Sequence, residues 1–402
     1  MENKLKFLKI NILNHPLFEK NVSFSLNATE RVYSGEEDEL INIYGRNYIN
    51  TVTSIFGLNA TGKTTIVKMI IGALNLTLYN NSIKDTYLRD VLQGNSDITF
   101  EVFFFGTDMF LYKDVITFSK INDEWLISQE LVYRKKVFKT DAKAKLFDFQ
   151  DGKDLYLDRN QIPDASKNLL AADDSVFRSI RAEFAYQTQP IEDALIFTNL
   201  NALIYKNGAV PEEILKYLDP TIDYLKFEST DTGQQFYRLK FKGRETEITD
   251  NNLMTITNYL SSGTAKAINL LQGVLVALKN GGLIFIDEIE NHFNQAIVRT
   301  FIELFQDKKI NRKGASLIFI THYSELLDDM NRGDQIYITQ RHPYISLKRY
   351  SDEVKRIQGN GKLRTDLSKA AVAQSGRIGG TSPKYEAQLA FKNMVAKDVN
   401  ND

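Results

Sequence analysis

The segment Gly57-Leu-Asn-Ala-Thr-Gly62-Lys63-Thr64 constrains this chain more than any other, because it fits the spacing G-x-x-x-x-G-K-[ST]. Glycines at both ends let successive backbone N–H groups turn toward phosphate oxygens. A short apolar strand, Val52–Phe56, runs into the loop, and a helix from Lys63 to about Leu76 leaves it. That helix presents its positive N-terminal end to the same anion. Lys63 is then placed to reach β- and γ-phosphates, and Thr64 to ligate Mg²⁺. The candidate nucleotide-binding residues are therefore Gly57, Asn59, Ala60, Thr61, Gly62, Lys63, Thr64 and Thr65.

Two further segments bear on the same chemistry. Leu283-Ile-Phe-Ile-Asp287-Glu288 reads as a buried strand with an acid at its C-terminal edge, where ligands sit in open α/β sheets. Asp287 is expected to hold Mg²⁺ through water, and Glu288 to orient and deprotonate the attacking water. Leu260-Ser261-Ser262-Gly263-Thr264 opens a helix, Ala265–Leu278. This turn reads either as an ordinary N-cap or as a second anion site. The position of Gly263, 24 residues before Asp287, favours the second.

The rest of the chain supplies a frame for these segments. Strands are expected at 5–12 and 21–26, and at least three antiparallel strands over 98–134. Residues 135–165 are polar and irregular, and helical spacing runs from Ala165 to about Leu218. Strand alternation returns at 222–248. A helix near Gln295–Phe305, a strand at Leu317–Ile320 and a helix near Ser324–Met330 follow. Such alternation implies a mainly parallel sheet covered on both faces. The expected divisions are 1–134, the N-terminal half of the head with an antiparallel β-lobe, and 135–220, a basic loop and helical insertion. The other two are 221–345, the C-terminal half of the head, and 346–402, a basic tail.

Composition narrows the function classes. With 402 residues, 43% hydrophobic and 25% charged, the chain is long enough for two or three domains and ordinary for a globular protein. A net charge of −1 gives no global positive field for nucleic acid, so any such site must be local. The absence of cysteine excludes disulfides, thiolate zinc sites, iron–sulfur clusters and cysteine nucleophiles. Met1–Asn14 lacks the apolar core of a signal peptide, and no run reaches 18 apolar residues. A soluble cytoplasmic protein is expected. The basic cluster Arg134–Lys145 reads as a solvated loop or a nucleic-acid contact, and the basic tail as a partner or nucleic-acid contact.

Taken in order, the phosphate loop, LSSGT, LIFIDE and Ile320-Thr321-His322 resemble an ABC-type ATPase head, the class that includes SMC, RecF and OLD-type proteins. The resemblance implies that Ser261, Ser262, Gly263 and Thr264 form a signature turn completing the ATP site of a second subunit. It implies that Lys63, Glu288 and His322 are catalytic, with His322 a switch histidine against the γ-phosphate. Thr64 and Asp287 would hold Mg²⁺. It also implies slow ATP hydrolysis in a head-to-tail homodimer or higher homo-oligomer. Asp287-Glu-Ile-Glu-Asn291, Asn331-Arg-Gly-Asp334-Gln335, Arg364-Thr-Asp366 and Gly376-Arg377-Ile-Gly-Gly380 are similar to a bacterial subgroup, the RloA/AbiL/AriA-type ATPase subunits of anti-phage abortive-infection systems. That likeness implies a sensor and scaffold controlling a separately encoded effector, such as a nuclease. The alternatives are a RecF/SMC-like ATPase that clamps DNA and an ATP-locked structural assembly with negligible turnover.

Three departures stand out. His292 replaces the family's small hydroxyl residue in the D-loop, and Asn294-Gln295 replace its His-Pro. Spacing does not identify a Q-loop glutamine, for which Gln93 and Gln129 are weak candidates. No long heptad run supplies a coiled-coil arm.

Overall fold

The computed structural model describes residues 3–162, 170–198, 208–291, 293, 295–359, 368–374 and 385–399. Two six-stranded sheets dominate it. The first is antiparallel and contains β1 (Leu5–Leu13) and β2 (Asn21–Ser25) at one end. A separate hairpin of β3 (Leu40–Tyr44) and β4 (Asn47–Asn50) leads to β5 (Val52–Phe56), which belongs to the second sheet. The first sheet continues through β6 (Ile98–Gly106), β7 (Phe110–Ile121), β8 (Glu124–Lys136) and β9 (Leu155–Asp158), giving the order β2-β1-β6-β7-β8-β9. Burial alternates along β7, as a strand with one covered face requires.

The second sheet adds β10 (Ile191–Asp193) to the frame. A small antiparallel sheet follows in the chain, made of β11 (Gly208–Ala209), β12 (Ile222–Ser229), β13 (Gln235–Phe241) and β14 (Ile248–Asp250). Then come β15 (Leu283–Ile286), β16 (Ser316–Thr321), β17 (Ile336–Arg341) and β18 (Ile345–Arg349). The second sheet runs β10-β15-β16-β5-β17-β18, parallel throughout except for the β18 edge. Strands β5, β15 and β16 are buried along their whole length, which is why Leu283–Ile286 and Leu317–Ile320 read as continuous apolar runs.

Period-two alternation assigns each face of this sheet its own core. Leu283, Phe285, Ile318 and Ile320 pack with the helix Lys63–Leu78 and the antiparallel sheet. Ile284, Ile286, Leu317 and Phe319 pack with the helices Ser262–Asn280 and Gln295–Gln306. The small sheet has its own cluster, which takes in Ile256, Leu260 and Ile268 and so braces the start of the helix Ser262–Asn280.

The described part of the stretch with helical spacing holds the helices Phe177–Glu183 and Glu212–Leu218. The parallel strand β10 interrupts them. It is three residues long and only partly buried, too short to leave a periodic signal. The helix expected at Ser324–Met330 is a single 3-10 turn, Ser324–Leu327. Among the tail and D-loop positions, His292, Asn294, Arg364, Asp366, Gly376, Arg377 and Gly380 lie outside the described residues.

Candidate functional site

Parallel register brings the sequence-predicted residues to one edge. Phe56 is level with Thr321, Ile286 with Phe319, and Ile338 with Phe56. The residues that leave β5, β16 and β15 are therefore Gly57, His322 and Asp287, and Thr339 stands beside them within β17. A cavity of about 320 Å³ lies there, lined by Asn59–Thr65, Asp287, Glu288 and His322, with Leu17, Arg341 and Ile345 at its sides.

Steric room explains the loop's glycines. A Cβ on Gly57 would stand 2.1 Å from Thr339 Oγ1. Gly62 has φ 81° and caps the helix Lys63–Leu78, and a Cβ there would meet the Ile345 side chain at 2.6 Å. Thr61 Oγ1 closes the loop on Leu58 O at 2.8 Å and lies 2.7 Å from Thr339 Oγ1.

Lys63 Nζ donates to Gly57 O and Leu58 O, both at 2.8 Å, and lies 3.4 Å from His322 Nδ1. Burial lowers its pKa to about 8, against the opposing pull of Asp287, Glu288 and Glu290. Thr64 Oγ1 donates to Asp287 Oδ2 at 2.9 Å. Burial raises the Asp287 carboxyl above the usual aspartate range and Glu288 adds to it, while the Thr64 bond and Lys63 pull the other way. Glu288 sits in the left-handed region, φ 46°. Its Oε1 lies 3.5 Å from His322 Nε2 and its Oε2 accepts from Asn291 Nδ2 at 3.3 Å.

Sequence reasoning assigned no role to Glu290, yet its Oε1 accepts the His322 backbone N–H at 2.6 Å and ties the histidine turn to the acidic corner. Its place in the Asp287-Glu-Ile-Glu-Asn291 run was the available signal. Thr339, Arg341 and Ile345 also went unassigned, because no motif marks the β17–β18 hairpin.

The Ser261–Thr264 turn does not line this cavity. Ser261 caps the helix Ser262–Asn280, its Oγ accepting from Thr264 N at 3.0 Å and lying 2.8 Å from Thr264 Oγ1. One turn later, buried Lys266 reaches a small pocket shared with Asp287, Glu288 and Asn291. Gln93 and Gln129 are exposed and line none of this.

The basic cluster is largely occupied in holding the fold. The Arg134 guanidinium lies 3.7 Å from the Phe110 ring centroid and 4.1 Å from that of Phe184. Lys135 donates to Lys145 O and Asp148 O, and Lys143 to Ala28 O and Glu30 O.

Residues 52–328, more than half of the chain, match the family described as "AAA domain, putative AbiEii toxin, Type IV TA system", and the chain belongs to that family. The match takes in the phosphate loop, the LSSGT turn, the Asp287–Glu288 corner and His322. The fold is that of a P-loop ATPase. No curated protein matches the sequence. A solved structure of the recombination mediator protein RecF with ATPrS, in the RecFOR pathway, aligns over 86% of this chain and 99% of that one. Its TM-score is 0.37 at 8% identity, a likeness too distant to bear on the site. Among the described residues, no helix is long and apolar enough to cross a membrane.

Proposed function

We propose that this chain binds ATP with Mg²⁺, hydrolyses it slowly, and serves as the sensor and scaffold subunit of a bacterial anti-phage defence system with a separately encoded effector. The observation that carries the ATPase reading is the meeting of Lys63, Thr64, Asp287, Glu288 and His322 around one cavity. The residues fit ATP and Mg²⁺. Glycine at 57 and 62 lets the loop pack against Thr339 and Ile345, where a Cβ would clash, and so holds Asn59–Thr65 along the cavity. Thr64 and Asp287 offer hard oxygen donors already within hydrogen-bond distance of each other, as Mg²⁺ prefers.

Lys63 exchanges its loop carbonyls for β- and γ-phosphate oxygens. Thr64 and Asp287 would hold Mg²⁺, which would neutralise charge on the phosphates. Glu288 takes the proton of the attacking water, and His322, beside both Glu288 and Lys63, holds the γ-phosphate end of the site. Ser262 and Gly263 complete the site of a second copy in a head-to-tail dimer. The family's description names a putative toxin of a Type IV TA system, which supports work alongside a second encoded component.

The test is native mass spectrometry of Glu288→Gln protein, co-expressed with its neighbouring genes and purified in ATP and Mg²⁺. A dimer or larger assembly carrying a neighbour's product supports the reading. A bare dimer without a partner removes the effector from it. Phage protection that survives Lys63→Ala would sink the sensor role.

A further inference from the structure

A second cavity, of about 470 Å³, opens where the antiparallel sheet meets the β18 edge of the parallel sheet. Four cations line it, Lys9, Lys143, Lys348 and Arg349, against two carboxylates, Asp352 and Glu353. Glu353 is engaged by Arg356 at 2.8 Å, and Asp352 is exposed. Lys143 is spent on the carbonyls of Ala28 and Glu30.

The remaining three cations are differently placed. Arg349 is buried and fixed. Its Nε donates to Tyr337 Oη at 2.8 Å, and its Nη2 to Ser25 O at 2.7 Å and Asn27 O at 2.9 Å. Its Nη1 makes none of the hydrogen bonds among the described residues. The Lys9 ammonium lies over the rings of Phe103 and Phe147, at 5.4 and 5.0 Å. Burial lowers its pKa; Glu101 and Asp148 oppose that, while Arg349 adds to it. Neither Lys9 nor Lys348 makes an ion pair within 4.0 Å among the described residues.

One side of the lining is polar. Asn27 is 3% exposed and lines the cavity. The hydroxyls of Ser23 and Ser25 lie in the same lining.

We propose that this cavity binds a small phosphate ester, its phosphate against Lys9, Lys348 and Arg349 and the hydroxyls of the same molecule against the polar side of the lining, Ser23, Ser25 and Asn27. Charge-assisted bonds to a phosphate suit a fixed guanidinium flanked by two lysines. The concave shape and the two carboxylates favour a compact ester over a continuous polyanion. The site stands apart from the phosphate loop and does not depend on the ATPase reading. Strand β18 nonetheless carries both cavities, Ile345 lining the first and Leu347–Arg349 the second.

The test is calorimetric titration of the full chain with ribose 5-phosphate and, separately, with inorganic phosphate. Both are repeated in a Lys63→Ala background to disable the phosphate loop. The expected result is one equivalent of ribose 5-phosphate bound, tighter than inorganic phosphate and unchanged by Lys63→Ala. The pair Lys9→Met with Lys348→Met weakens it by about tenfold or more. Ser23→Glu, which sets a carboxylate in the lining, gives the same loss without touching either lysine. No binding, equal affinity for inorganic phosphate, loss in Lys63→Ala, or persistence in both lining variants overturns the proposal.

Discussion

Two pairs of neighbouring carboxylates in this molecule stand in different surroundings, and the fold uses them differently. Asp287 and Glu288 stand at the C-terminal end of β15, facing a cavity and within reach of Lys63 and His322. Asp114 and Glu130 stand in the middle of β7 and β8, both fully buried. Glu130 accepts from Ser175 Oγ at 2.5 Å and Val176 N at 2.9 Å, and Arg159 lies 3.2 Å away. Neither Asp114 oxygen has a hydrogen-bond partner among the described residues. Burial drives the Asp114 carboxyl far up, Glu130 pushes it further, and Arg159 only partly offsets this. If Glu288 acts as proposed, what sets it apart from Glu130 is position at an open strand end, with a cation and a histidine facing it, rather than burial.

The sharpest way to break that contrast is Glu288→Gln. A general base contributes roughly 10²–10⁴ in rate, so turnover of ATP should fall by about that factor with nucleotide binding retained. Steady-state hydrolysis and equilibrium nucleotide titration check the two halves. Unchanged turnover would reduce Glu288 to the same structural status as Glu130.

Asp114→Asn tests the other side. Below pH 3.8, the carboxyl's usual pKa, folded and unfolded chains both hold the proton. Above it the unfolded chain releases the proton and the folded chain keeps it. Wild-type stability therefore falls as pH rises toward the raised folded pKa. The asparagine variant escapes this penalty, so its advantage should widen by about 1.4 kcal/mol per pH unit within the window. ATP turnover should not change. Denaturant unfolding of both proteins across that range decides it, and a pH-independent difference sinks the idea.

Legibility in the sequence follows the same division. Residues whose chemistry needs a fixed spacing, Gly57 to Thr64 and Asp287 to Glu288, could be read directly, because loop spacing and strand ends are local properties. The parallel strands β15 and β16 were legible from the unbroken apolar runs Leu283–Ile286 and Leu317–Ile320. What was not legible depends on partners distant in the chain. The Thr339 hydroxyl that makes glycine necessary at 57 comes from β17, and β10 is defined by pairing with β15 rather than by its own three residues. The Arg134 cage draws on Phe110 and Phe184, which no spacing rule connects.

That cage yields a third test. Arg134→Met should lower stability by about 1–2 kcal/mol through lost cation–π contact, with duplex DNA binding unaltered at any salt concentration. Thermal unfolding and a salt-series binding assay separate the outcomes. A salt-dependent loss of DNA affinity would turn the cluster from scaffold into contact surface.

The smallest expected change in stability concerns the Ser261 turn, where cap and signature readings meet. Ser261 Oγ accepts from Thr264 N, so Ser261→Ala should cost about 0.5–2 kcal/mol as a lost N-cap. Ser262 begins the same helix but is not the capping residue, and Gly263 follows it. If the turn acts only as a cap, Ser262→Arg should leave ATP turnover per chain as it was. If it completes a second copy's site, Ser262→Arg should abolish turnover while each chain still binds nucleotide. Mixing that variant with Lys63→Ala chains sharpens the test. Head-to-tail sharing leaves one mixed site with an intact phosphate loop facing an intact turn, so partial activity should return from two inactive proteins. Absence of that recovery, with both proteins folded, would return the turn to an ordinary cap.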